Sequence, residues 1–192
     1  MSDLIEIRWH GRGGQGAKTA SNLVGKTASK MGKDIQAFPE YGPERMGAPV
    51  QAFNRISDQE FSKHCQISNP DCVVVLDPTL LDVVDVTDGV PEDGVLVINS
   101  KEEAQKIKDK LDFSGEVWTI DAYEISQEEM GQPIPNTPMI GAFLKGGKIL
   151  DKEEFMENIK SVLQKKFGDE EVAEMNLAAI KRAYEEVKNN ES

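Results

Sequence analysis

An α/β fold, with a mostly parallel sheet carrying helices on both faces of a single domain, is predicted by three features of the sequence. Leu4–Gly16 runs an alternating strand, with Ile5, Ile7 and Trp9 on one side, into a turn holding Gly11, Gly13, Gly14 and Gly16. Ala17, Ala20, Leu23, Val24, Ala28 and Met31 then recur at helical spacing, so strand, glycine turn and helix form the opening unit of a parallel sheet. Cys72–Leu76 and Gly94–Ile98 are unbroken apolar runs, as expected of strands buried on both faces. With 192 residues, no internal repeat and no linker, the chain is long enough for one sizeable core. One domain over residues 1–192 is expected, with C-terminal helices about 151–188.

The glycine turn carries the most specific local chemistry. Gly11, Gly13 and Gly16 fit the spacing G-x-G-x-x-G, which makes the opening unit Rossmann-like. One glycine there allows a tight turn, one lets a ligand approach backbone, and one lets helix and strand pack closely. Gly14 and Gln15 add an unhindered amide and a side-chain amide at the helix N-terminus, where free N–H groups favour an anion by about 0.3–1 kcal/mol. The same glycines also suit a turn that only packs tightly, with no ligand.

Further along, the first helix is expected to end near Met31 with Gly32 just beyond it, and Ile35–Phe38 to form a second strand. Residues 39–49 hold three prolines and two glycines, so they form a loop. Its Glu40, Tyr41, Glu44, Arg45 and Met46 suit an interaction surface, with a merely solvated loop as the alternative. Val50–Ile56 and Glu116–Ile120 read as strands, and Ser100–Glu103 as a capping box for a helix carrying Ala104, Ile107 and Leu111. Asp77 and Asp121 end predicted strands, where they either face a ligand or cap the next element. After Asp121 the pattern loosens until Thr137, expected as the cap of a short helix that begins at Pro138 and stops at Gly146-Gly147. Asp151 caps a helix burying Phe155, Ile159, Val162 and Leu163. The last helix, with Ala173, Leu177, Ile180, Tyr184 and Val187 along one seam, either covers its own sheet or clasps another subunit, and Lys188–Ser192 is expected to fray.

Composition excludes several functions. Thirty-four acidic against 22 basic residues give a net charge of −12, which repels nucleic acid and anionic membranes, and no basic stripe is visible in the sequence. No apolar run reaches the ~18–20 residues of a bilayer span, and no signal peptide is visible, so a cytoplasmic chain is expected. Cys65 and Cys72 are the only cysteines, too few for an ordinary iron–sulfur cluster, and His10 and His64 complete no zinc spacing. His64 beside Cys65 is a weak candidate for a nucleophile pair. No metal site and no catalytic side chain are predicted.

Several stretches, taken in order, resemble the gamma subunits of the 2-oxoacid:ferredoxin oxidoreductase family, and among them the pyruvate branch. They are Gly11–Gly16, Tyr41–Gly47 leading into Val50–Ser57, Leu76-Asp77-Pro78, Asp121-Ala122 and Pro135–Phe143, so the likeness spans most of the chain. One departure is that relatives often read Arg-Gly-Gly where Arg45-Met46-Gly47-Ala48 stands here. The resemblance implies the reaction of pyruvate, coenzyme A and oxidised ferredoxin to acetyl-CoA, carbon dioxide and reduced ferredoxin. It also implies companion alpha, beta and delta subunits that hold thiamine diphosphate and iron–sulfur clusters, with no cofactor on this chain itself.

Under that reading the chain serves assembly and the coenzyme A side of the site. Gly11, Arg12, Gly13, Gly14, Gln15 and Gly16, together with Asn136 and Thr137, are the candidate coenzyme A or anion contacts, because two helix N-termini are expected at one sheet edge. Tyr41, Glu44, Arg45 and Met46 are the candidate interface residues. The competing class is a stand-alone dinucleotide-binding oxidoreductase or redox sensor. That class needs an acidic residue at the end of the second strand, where Gln36-Ala37-Phe38-Pro39 stands and Glu40 lies beyond the proline.

Overall fold

The computed structural model describes residues 4–39, 46–63 and 65–190. Seven strands form one sheet: β1 (Leu4–Arg12), β2 (Asp34–Pro39), β3 (Pro49–Ser57), β4 (Cys72–Val75), β5 (Val95–Asn99), β6 (Glu116–Ile120) and β7 (Lys188–Asn189), in the order β2-β3-β1-β4-β5-β6-β7. β1, β4, β5 and β6 pair in parallel, while β3 lies antiparallel between β1 and β2, and β7 antiparallel on β6. Five of the seven strands therefore run the same way, giving the mostly parallel sheet that the apolar runs predict.

Helices are α1 (Ala17–Lys30), α2 (Ala104–Leu111), α3 (Ala122–Met130), α4 (Asn136–Gly147), α5 (Lys152–Phe167) and α6 (Glu170–Glu186), with a 3-10 turn over Pro78–Asp82. They cover both faces unequally. On one face Ile7, Trp9, Val74, Val97 and Trp118 pack under α1 and α4, and α5 and α6 close the same core from outside. Trp9 is fully buried, its indole N–H donates to Asn54 Oδ1 at 2.8 Å, and its ring tilts against Phe143 at 5.3 Å. The second core is smaller, with Val73, Val75, Leu96 and Ile98 under Leu80 and Ile107.

Close packing sets the helical layers. A side chain on Gly141 would lie 2.0 Å from the Ile180 carbonyl oxygen, so α4 and α6 meet backbone to backbone. The seam of α6 is thereby buried on α3, α4 and α5 rather than directly on the sheet.

Several local expectations change. A helix, α3, fills the stretch after Asp121 where periodicity is weak, since only Ala122, Ile125 and Ser126 are buried on it. Ser100 does not cap α2: its hydroxyl accepts from the Glu102 amide, and Glu103 precedes the helix without a side-chain bond. The expected stop of α4 at Gly146-Gly147 holds: the helix ends at Gly147, and Lys148 just beyond it adopts φ +52°. The tail is not frayed through Asn190, because Lys188 and Asn189 pair with β6 and the Asn190 side chain accepts from the Val117 amide. Glu6, Arg8 and His10 of β1 are all buried on the face opposite Trp9. Arg55, itself 1% exposed, bonds Glu6 at 2.7 Å across the β1–β3 ladder.

Candidate functional site

The glycine turn sits where β1 leaves the sheet. Gly11 remains inside the strand and lies 3.2 Å, from its would-be Cβ, from the Ala17 methyl, so its role is close approach of helix to strand. Gly13 borders the hollow at the turn, but its backbone polar groups are already engaged. Its amide donates to the Ala48 carbonyl at 2.9 Å, and its own carbonyl accepts from Gly47, which prolongs the β1–β3 ladder past Arg12. Gly14 and Gly16 adopt φ +99° and +85°, in the left-handed region that glycine enters without strain.

Arg12 and Gln15 hold the turn to the neighbouring strands. Gln15 accepts from the Arg12 backbone amide at 2.7 Å, and its side-chain N–H groups donate to Asp77 and to the Tyr123 hydroxyl. Arg12 donates to the Thr79 hydroxyl and the Gly47 carbonyl, and its guanidinium lies 3.4 Å from Asp77. Burial alone pushes the Asp77 carboxyl up. The Thr79 hydroxyl, the Gln15 amide, the Thr79 backbone amide and Arg12 outweigh that push and hold it below the usual carboxylate range. Asp77 and Asp121 both act as caps, accepting from Thr79 and Glu124 amides respectively. Asp77 adds the second task of anchoring the glycine turn.

The second expected loop does meet the first, though not as a matching cradle. A Cβ on residue 16 would lie 2.6 Å from Asn136 Nδ2, so the starts of α1 and α4 touch. Asn136, however, is the first residue of α4, and its Oδ1 accepts from the Thr137 amide at 2.9 Å. Thr137 is not the cap: it is the second residue of the helix, is buried, and donates to Asn176 Oδ1 at 2.9 Å. Pro138 consequently follows the helix start by two residues.

Two hollows flank the turn. One, of about 420 Å³, is bordered by Arg12, Gly14, Lys18, Met46 and Val50. The other, of about 530 Å³, lies between Gly14, Gly16, Asn136 and Lys166 and has apolar walls that include Ile134, Phe167 and Val172. No side chain caps the start of α1, and no acidic residue stands in its first turn. α3, α5 and α6, by contrast, start at Asp121, Asp151 and Asp169, each accepting an amide of the first turn. The uncapped start of α1 and the cations Arg12 and Lys18 thus border the same hollow, whose lining holds no carboxylate, an arrangement suited to an anion.

Of the loop candidates, Tyr41, Glu44 and Arg45 lie outside the described residues, as do Glu40 and His64. Met46 is 94% exposed at the rim of the smaller hollow. Cys72 is buried and its thiol is pushed far up by burial and by Asp71, so it is inert as a nucleophile; Cys65 is exposed. Among the described residues no group of three His, Cys, Asp or Glu side chains is placed to hold a metal, and no helix is long and apolar enough to cross a membrane. A basic stripe does exist, contrary to the sequence reading, because folding brings Lys26 and Lys30 of α1 beside Lys165 and Lys166 of α5.

The strand order bears on the dinucleotide alternative. In dinucleotide-binding units the second strand lies beside the first, so its terminal acid reaches the ribose. Here β3 intervenes and β2 is the sheet edge, which moves the end of β2 one strand away from the glycine turn.

Known proteins share this sequence pattern and this fold. The family model described as pyruvate ferredoxin/flavodoxin oxidoreductase matches residues 6–186. The chain is 45% identical to pyruvate synthase subunit PorC of Thermotoga maritima over 187 residues, 97% of this chain and 96% of that one. It is also 45% identical, over 86% of its length and 90% of the relative's, to the common gamma subunit of the pyruvate/ketoisovalerate oxidoreductases of Thermococcus kodakarensis. Among solved structures, the pyruvate oxidoreductase subunit PORC of T. maritima superposes with a TM-score of 0.86 at 42% identity, covering 98% of this chain and 99% of that one. The 2-oxoglutarate:ferredoxin oxidoreductase of Magnetococcus marinus shares the fold at 20% identity and a TM-score of 0.75, over 95% of this chain and 31% of that one. The chain belongs to the pyruvate ferredoxin/flavodoxin oxidoreductase family.

Proposed function

We propose that this chain is the gamma subunit of a cytoplasmic, multi-subunit pyruvate:ferredoxin oxidoreductase, which converts pyruvate and coenzyme A to acetyl-CoA and carbon dioxide while reducing ferredoxin. The observation that carries the reading is 45% identity to a pyruvate synthase subunit across 97% of this chain. In this reading alpha, beta and delta subunits complete the enzyme, and thiamine diphosphate and the iron–sulfur clusters are held by them. Two cysteines in the whole sequence fit that division, since an ordinary cluster takes four thiolates. The relative whose name makes it common to pyruvate and ketoisovalerate oxidoreductases fits it too, because a shared subunit does not choose between the two substrates.

The chain itself, one domain over residues 1–192, contributes shape and charge. Gln15, Asp77, Tyr123, Arg12 and Thr79 bond one another and so stiffen the glycine turn. Gly14, Gly16, Arg12 and Lys18 then border the hollow that receives the phosphates of coenzyme A, with Asn136 on the far side of the turn. Gly11 and Gly13 act through packing and the β1–β3 ladder, and Thr137 through its bond to Asn176. Purification of the complex from its native cell tests the reading. The chain should travel with larger subunits that carry iron and thiamine diphosphate. A chain that elutes alone and binds NADH at micromolar concentration contradicts it and favours the dinucleotide class.

A further inference from the structure

The charge of this chain is unevenly placed. A third hollow, of about 470 Å³, lies between α1 and α5, where Lys26, Lys30, Lys165 and Lys166 stand over Ile35 and Val162. It shares Lys166 with the hollow beside Asn136, which in turn shares Gly14, Gly16 and Thr19 with the hollow at Lys18. The three form one trough along the flank of α1, and no carboxylate borders it among the described residues. This is unexpected in a chain with 34 acidic and 22 basic residues. The hollow at the other edge of the sheet, near β7, is bordered by six carboxylates, among them Glu102, Glu124 and Glu186, against three lysines, Lys101, Lys145 and Lys188.

The lysines of the trough also lack counter-charges. Lys33, Lys63, Lys101, Lys110, Lys148 and Lys160 each hold a carboxylate. Lys30 meets only the Ser161 hydroxyl, and no ion pair forms at Lys26, Lys165 or Lys166 among the described residues. Lys18, Lys26 and Lys30 recur at multiples of four on the exposed side of α1, opposite the buried Ala20, Val24 and Ala28. Uncompensated ammonium groups repel one another in the free chain, and that repulsion becomes attraction when a complementary surface arrives. The floor is apolar, and Phe167 and Val172 extend it, each 37% exposed.

We propose that the α1–α5 end of this trough, apart from the hollow at the glycine turn, is the docking surface for an acidic face of a companion chain, in which Asp and Glu side chains neutralise Lys26, Lys30, Lys165 and Lys166 around an apolar residue seated over Ile35 and Val162. The inference rests on the chain being a subunit of a larger complex. A polynucleotide fits less well, because the rest of the surface, at a net charge of −12, repels it.

Lysine acylation of the intact holoenzyme, read by mass spectrometry, tests the proposal without altering the fold. Lys26, Lys165 and Lys166 should react about tenfold more slowly than Lys108 and Lys181, which stand on α2 and α6 away from the trough, and high salt should release the protection. Equal reaction at all five lysines overturns the proposal while leaving subunit membership intact, since the chain is still present in the complex. Protection abolished by nuclease overturns it in favour of a polynucleotide. As a second arm, Lys26→Glu with Lys165→Glu should leave the complex at lower salt than Lys108→Glu with Lys181→Glu, which changes the net charge equally. Identical salt profiles for the two pairs overturn it as well.

Discussion

Gln15 and Asp77 tie the glycine turn to the end of β4 through a side-chain amide to carboxylate hydrogen bond, and the same amide nitrogen reaches the Tyr123 hydroxyl at 2.9 Å. Replacing Gln15 with Leu leaves three polar groups of this cluster short of a partner: Asp77, Tyr123 and the Arg12 amide. A loss of about 1–3 kcal/mol is expected, measured by urea unfolding of the purified chain. An unchanged midpoint would mean that the turn is held by Arg12 alone.

Asp77 also carries an acid dependence. Its folded carboxyl titrates below the ordinary range, so its contribution is present above the unfolded value and is lost as pH falls below about 4. Asp77→Asn should therefore be less stable at neutral pH, with a flatter acid limb of the stability curve. Parallel acid limbs in the two proteins would contradict this assignment.

His10 predicts a second, separate window. Burial and then Arg8 lower its imidazole to about 3, so the native ring stays neutral while the unfolded ring protonates near pH 6.5. A depressed folded value adds stability that is complete above about pH 6.5 and drains away as pH falls toward about 3. His10→Leu should flatten the unfolding free energy over that interval, as followed by denaturant titration at several pH values. A variant as steep as the parent would place the acid sensitivity elsewhere.

Gly16 and Asn136 separate backbone strain from steric conflict. Gly16→Ala puts an L side chain at φ +85° and 2.6 Å from Asn136 Nδ2. The left-handed backbone costs about 1–2 kcal/mol by itself, and the clash adds to it. Asn136→Gly in the same chain should recover the clash and leave the backbone part, giving a coupling in a double-mutant cycle. Strict additivity would mean that α1 and α4 do not press on each other at this point.

Much of this fold was legible in the sequence, and the misses share causes. β4 and β5 announce themselves by apolar runs and β1 by alternation, and Asp151 and the burial of Phe155, Ile159, Val162 and Leu163 follow from spacing alone. α3 escaped because only three of its nine residues are buried, too few to print a period. Which glycine plays which part was not legible, because local spacing does not reveal that Ala48 and Gly47 latch Gly13 from across the β1–β3 ladder. Thr137 looked like a cap because no local signal foretells Asn176 of α6 packing against it. The lysine trough was invisible for the same reason, since Lys26 and Lys165 are far apart in sequence and become neighbours only when α5 crosses α1.

The coenzyme A reading makes a kinetic prediction at Lys18, which is exposed and stands at the hollow beside the glycine turn. In the assembled enzyme Lys18→Ala should raise the KM for coenzyme A several-fold, by about 1 kcal/mol of lost charge attraction, with kcat unchanged. A rise in the KM for pyruvate instead would move coenzyme A away from this turn.

The central claim, that this chain completes a reaction centre whose chemistry resides on other subunits, is tested most directly by reconstitution. The companion subunits are assayed for coenzyme A-dependent pyruvate oxidation with ferredoxin as acceptor, with and without the chain. Turnover is expected only after the chain is added back, saturating at a fixed subunit ratio. Full turnover in its absence, or pyruvate oxidation by the chain alone, would contradict the claim.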